Sequence, residues 1–100
     1  MIKLSDMNLT EYDERQINLM KDKLNSFISS KISFKELIDD LRALLNCLQS
    51  VDMTWKELFY EHWFILEQVY AVALDRNESI DNYNDYLSES IKQLKSLLSY

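Results

Sequence analysis

The chain reads as all-α: a small antiparallel bundle of four main helices with short loops. Three observations carry this. The sequence contains neither glycine nor proline. Tight hairpin turns and left-handed backbone positions draw on glycine above all, so a sheet protein of this length would lack its turn residues. Apolar residues recur at three- and four-residue steps through four separate stretches, the period of one helix face. The breaks between these stretches are short polar runs, and short helix-to-helix connections imply antiparallel neighbours. A chain of 100 residues makes one helical domain, 1–100, with a modest core and no need of a staple.

Residues 1–9 form a lead-in from which Ile2, Leu4 and Met7 tuck against the bundle. Thr10 opens the first helix, and Asp13 and Glu14 place negative charge in its first turn, where the helix dipole favours it. Ile17, Met20, Leu24, Phe27 and Ile28 supply its buried stripe; Ser29, Ser30 and Lys31 end it. Ser33 and Glu36 have the capping-box spacing, in which the hydroxyl and the carboxylate each accept from the other's backbone amide. Phe34, Leu37, Ile38, Leu41, Leu44, Leu45 and Leu48 then give the second helix the cleanest apolar stripe in the chain. Lys35, Asp39, Asp40, Arg42 and Asn46 lie on its exposed side, and residues 49–53 connect it to the next helix.

The third helix, residues 54–76, organises the rest. Thr54 and Glu57 repeat the capping-box spacing. Trp55, Leu58, Phe59, His62, Trp63, Leu66, Val69, Tyr70 and Ala73 follow on one face, which takes both tryptophans and the only histidine. Arg76 suits the negative end of the helix dipole, and Asn77 leaves the helix. The far side is unusual: Phe64, Ile65 and Val72 stand beside Glu57, Glu61, Gln68 and Asp75. A purely solvated face has no need of large apolar groups. Two arrangements fit, a central helix that is nearly surrounded or a second face that meets another protein. Ile65 and Val72 go with the core edge; Phe64, Gln68 and the carboxylates go with a partner. After a polar break over residues 77–81, Ile80, Tyr83, Leu87, Ile91, Leu94 and Leu98 mark a last helix that starts between positions 79 and 84. Asp81 and Asp85 load its N-terminus, and Lys92 and Lys95 its C-terminal half, both as the dipole prefers.

Composition narrows the function. The formal charge is −6 and the pI about 4.6. Residues 57–91 hold eight acidic residues against one basic residue, Arg76, a net of −7, while the remainder is near balance. Direct nucleic-acid binding needs clustered Lys and Arg and is disfavoured; a basic protein surface is the favoured partner. The single Cys47 has no partner for an internal disulfide and reads as a small buried hydrophobe in the second helix. No stretch reaches the length of a membrane span, and the first residues lack the apolar core of a signal peptide, so the expectation is a cytoplasmic protein with no membrane contact.

No chemistry-bearing motif survives. Glu61-His62 lacks the further ligands of a zinc site, and His62 reads as a packed core-edge residue. Asp39 and Asp40 point about 100° apart on a helix and make no acid–base dyad. Glu67 and Asp75 are positioned for bridges to Arg42 or Arg76. Glycine-rich phosphate loops are excluded by the lack of glycine, and one histidine supports no nucleophilic triad. The expectation is no enzyme, no cofactor and no metal. Glu57 and Glu61, four apart on one face, cost the isolated helix a little stability, which hints at a cationic partner. Tyr60, Tyr83 and Tyr86 suit either an interface anchor or a bundle rim.

Residues 32–48 (ISFKELIDDLRALLNCL) and 55–78 (WKELFYEHWFILEQVYAVALDRNE) resemble the immunity proteins of bacterial contact-dependent growth inhibition, a polymorphic toxin system. The resemblance covers roughly the middle half of the chain. It implies a small helical protein that binds the nuclease domain of a delivered toxin, an RNase in the leading case, and blocks its active site without catalysis of its own. Partner contacts are not transferable between such sequences, so the candidate face comes from the charge pattern: Glu57, Glu61, Gln68 and Asp75 around Phe64 would fill a basic phosphate-gripping cleft. The alternative is a self-associating helical scaffold or regulatory module, a homodimer joined through Phe64, Ile65 and Val72.

Overall fold

Four helices follow one another: α1 (Glu11–Ile28), α2 (Phe34–Cys47), α3 (Met53–Asp75) and α4 (Asn84–Leu97), with 3₁₀ turns at Leu4–Asp6 and Ile80–Tyr83. This computed structural model describes residues 3–99, and among them there is no strand. The all-α bundle with short loops is what the chain forms.

Short polar side chains set the helix starts. The Thr10 hydroxyl accepts from the Asp13 amide and the Ser33 hydroxyl from the Glu36 amide, each at 3.1 Å, which satisfies one of the free amides in each first turn. The Thr54–Glu57 capping box does not form. Asp52 takes the cap of α3, its carboxylate accepting from the Thr54 amide at 2.8 Å, so the helix begins at Met53. Asp is at least as good a cap as Thr, and its charge also meets the positive end of the dipole. Ser79 caps the 3₁₀ turn Ile80–Tyr83, and α4 begins only at Asn84, at the late end of the expected window. Asp81 therefore lies in that turn, and Asp85 carries the negative charge of the first turn of α4.

Without glycine, two other residues take the left-handed positions that end helices. Ser30 has φ 60° and Asn77 φ 54°. Past α1, Lys31 N–H donates to Ser26 O at 2.8 Å and Ser30 N–H to Phe27 O at 3.0 Å. Past α3, Glu78 N–H donates to Ala73 O at 2.8 Å and Asn77 N–H to Leu74 O at 3.2 Å. Both ends thus satisfy terminal carbonyls in the geometry that a C′ glycine usually serves.

The neighbours run antiparallel. The start of α3 meets the end of α4, where Trp55 Nε1 donates to Leu97 O at 2.9 Å. The middle of α3 meets the front half of α2, where Trp63 Nε1 donates to Ile38 O at 2.9 Å. Trp55, Phe59, Trp63 and Leu66 of α3 are fully buried with Ile17, Met20 and Leu24 of α1, Leu37 and Leu41 of α2 and Leu94 of α4. Burying a side chain such as Phe59 or Leu66 contributes roughly 1.5–3 kcal/mol. Leu4, in the first 3₁₀ turn, closes one end of this core and Met7 is half-buried; Ile2 lies outside the described residues. Asp13 joins α1 to the connection between α2 and α3, its carboxylate accepting from the amides of Gln49 at 2.9 Å and Ser50 at 2.7 Å.

Three expected burials fail, for the same angular reason. Ile28 is exposed: the stripe of α1 closes with half-buried Phe27 against Phe34, ring centroids 5.5 Å apart, and Ile28 lies a further ~100° round. Cys47 is exposed because it lies about 120° round α2 from buried Leu41. Val72 is 39% exposed, about 60° past buried Val69, beyond the arc that the neighbouring helices cover. Ile65 does sit half-buried at the core edge.

Candidate functional site

The helical period brings the five candidate residues together. At about 100° per residue, Glu57, Glu61, Phe64, Gln68 and Asp75 fall within an arc of about 60° on α3, and they extend along about 27 Å of it. All five are exposed, on the side away from Trp55, Phe59, Trp63 and Leu66. Helix α3 is therefore not surrounded: its second face, apolar and acidic together, is open.

The apolar part of that face is anchored in the core. Buried Trp63 carries the guanidinium of Arg42 at 5.4 Å from its ring centroid. Its ring also lies 5.3 Å from that of Tyr60, which stacks on Phe64 at 6.0 Å with an interplanar angle of 18°. Tyr60 is 44% and Phe64 40% exposed. A surface aromatic held by a neighbour that is itself held by a buried tryptophan has little rotamer freedom left to lose on binding. Met53, which the sequence assigned to a loop, extends the stripe as an exposed apolar residue in the first turn of α3.

The charged part is unpaired. Among the described residues the ion pairs are Lys23–Asp40 at 3.0 Å and Lys35–Asp39 at 2.7 Å, and neither touches this face. Both pairs hold the lysine ammonium above its ordinary pKa, first through the hydrogen bond to the carboxylate. Glu57, Glu61 and Asp75 take part in no ion pair among the described residues. The bridges expected from Glu67 and Asp75 to Arg42 or Arg76 do not form. Arg42 is engaged with Trp63 instead.

The face is not one pocket. Glu57 and Glu61 line a hollow of about 420 Å³ with Met53, Lys56, Tyr60 and, from α2, Leu45 and Asn46. Gln68 lines a groove of about 510 Å³ between α3 and the segment that leads into α4, with Ile65, Val72, Tyr83 and Tyr86. Asp75 borders a further hollow beside Val72 and Arg76. Phe64 lines none of the three hollows. The sequence left Tyr83 and Tyr86 between rim and interface; both face the groove, Tyr86 exposed and Tyr83 held by a 2.8 Å hydrogen bond from its hydroxyl to Glu78.

The described residues contain no group of three or more His, Cys, Asp or Glu side chains placed to hold a metal ion. His62 is half-buried at the edge of the core. No described helix is long and apolar enough to cross a membrane. Set against known protein families, curated proteins and solved structures, the chain matches none of them.

Proposed function

We propose that the protein is a stoichiometric inhibitor, an immunity protein of the contact-dependent growth inhibition type that acts in the cytoplasm. Its exposed α3 face docks on the basic nucleic-acid cleft of a nuclease toxin domain, an RNase in the leading case. One observation carries the reading: Glu57, Glu61 and Asp75 are unpaired among the described residues, on the same open side of α3 as the stacked Phe64. A nuclease that grips phosphate carries a cationic cleft, and carboxylates along a rigid helix match such a surface in charge. The apolar residues between them supply the desolvated centre that a tight interface of about 1,600 Å² needs. The resemblance of residues 32–48 and 55–78 to immunity proteins points the same way.

The test is protection. Cells that produce the cognate toxin domain are expected to survive with the wild-type chain and to die with Glu57→Lys/Glu61→Lys, a double variant whose fold is checked by circular dichroism. Full protection by the folded double variant removes this face from the interface.

A second reading, self-association as a scaffold, is favoured by the exposure of Met53, Phe64 and Val72 on the same helix. Sedimentation at micromolar concentration separates the two. A dimer that dissociates on Phe64→Glu supports the scaffold, and a monomer that protects cells supports the inhibitor.

A further inference from the structure

The groove between α3 and α4 is built differently from the hollow at Glu57 and Glu61. Its floor is apolar, with buried Val69 and half-buried Ile65. Its walls are Val72 on α3 and Tyr86 on α4, both large apolar residues exposed to solvent. The 3₁₀ turn Ile80–Tyr83 closes one side, and the Tyr83–Glu78 hydrogen bond fixes the Tyr83 ring there. The groove holds about 510 Å³, room for more than one side chain, and it is open along its length.

Its surroundings are charged. On the α3 side, the hollow that shares Val72 and Arg76 with the groove is bordered by Asp75. On the α4 side, the hollow that shares Tyr83 and Tyr86 is bordered by Asp81 and Asp85. Among the described residues lining these three hollows, Arg76 is the one cation. An open apolar trough with carboxylates on both banks suits a chain segment better than a small molecule, which needs enclosure on most sides. A second copy of this chain is opposed by its own charge, since a two-fold contact would set the acidic banks against each other.

We propose that this groove takes a cationic amphipathic segment of a protein partner. Apolar side chains of the segment enter between Val72 and Tyr86, and its lysines or arginines meet Asp75 on one bank and Asp81 and Asp85 on the other. The proposal rests on the inhibitor reading for the partner's basic character. It adds a second anchoring point, on residues of α4 and of the turn before it, at the opposite end of α3 from Glu57.

The experiment uses the full chain and a synthetic helical peptide with a leucine face and a lysine face. Two control peptides carry glutamate for lysine and serine for leucine. Backbone and side-chain NMR of the protein follows the titrations, with calorimetry for affinity. The leucine–lysine peptide is expected to shift the resonances of Val72, Tyr83 and Tyr86, and each control to bind at least about tenfold more weakly. Tyr86→Ala and Val72→Gln are surface substitutions, and each is expected to weaken the peptide about tenfold. The idea is overturned if the glutamate peptide binds equally, if the shifts map only around Glu57 and Glu61, or if neither substitution changes affinity. It is equally overturned if the free protein is a dimer that buries Val72 and Tyr86. The assay contains no nuclease, so a failure of toxin neutralisation and a failure of groove binding are read separately.

Discussion

The amide of Ser50 donates to the carboxylate of Asp13 at 2.7 Å, across 37 positions of sequence. The other carboxylate oxygen accepts from Gln49 at 2.9 Å, and Asp13 is fully buried. One side chain thereby satisfies two amides of the connection that feeds α3, and so sets where α3 leaves α2. Asp13→Ala strips both amides of a charged acceptor, and a hydrogen bond to a charged group contributes about 1.5–3 kcal/mol, less where water can reach the donor, as it can at exposed Gln49 and Ser50. The expected loss in urea unfolding is about 2–4 kcal/mol, with Asp13→Asn, which keeps one acceptor oxygen, falling between wild type and the alanine variant.

Ser30 and Asn77 hold left-handed backbone at the ends of α1 and α3. For residues with a Cβ that conformation carries a steric cost, less for Asn than for Ser because Asn visits it more readily. Ser30→Gly and Asn77→Gly keep every backbone hydrogen bond of the two caps. Each is expected to raise stability, by roughly 0.5–1 kcal/mol, with the larger gain at Ser30. Thermal unfolding of the single and double variants checks this and reads whether the two gains add.

These two cases mark where the sequence stops being legible. The helices are visible in it because an apolar residue every three or four positions leaves no other way to bury the stripe. The open face of α3 is visible too, since Phe64 lies opposite Trp55 and Phe59 on any helix drawn through them. The exposure of Cys47 follows from the same angular count, since it lies about 120° round α2 from buried Leu41. What competes locally is harder: Asp52 and Thr54 are both good caps, and only the geometry of the connection decides for Asp52. The partners of Asp13 lie a whole helix pair away, and nothing near position 13 announces them. The groove beside Val72 depends on the 3₁₀ turn Ile80–Tyr83, whose short length gives no periodic signal.

Tyr83 provides a test by pH. Its phenol is held above its ordinary pKa, first by the hydrogen bond to Glu78 and then by burial. A raised phenol value means that the folded state favours the neutral, donating form more than the unfolded chain does. The stabilisation is therefore complete below the unfolded value of about 10 and is lost as pH rises through the folded value. Lys23 and Lys35, also raised, weaken over the same alkaline range in any variant that retains them. The comparison is thus wild type against Tyr83→Phe: the wild type should lose stability more steeply above about pH 10, while the two run parallel below pH 9. Denaturant midpoints across this range, with the alkaline absorbance difference between the two proteins, report both halves of the effect.

Phe64 separates folding from binding most cleanly. Its ring is 40% exposed and rests on Tyr60, so its removal opens no cavity in the core. Phe64→Ala gives up part of a surface aromatic contact but gains helix propensity, and the net change in stability is expected within about 1 kcal/mol. If the open side of α3 is the docking face, the same substitution removes an aromatic anchor from its centre, where truncation typically costs 2 kcal/mol or more, about 30-fold in affinity. Phe64→Tyr should retain most of that affinity, and Glu57→Gln should slow association chiefly at low salt, because a rim charge acts through encounter. Measured against the purified toxin domain, an unchanged affinity for Phe64→Ala would place the contact elsewhere on the protein even if the charge reversals abolish protection, since charge alone acts at a distance and a ring does not.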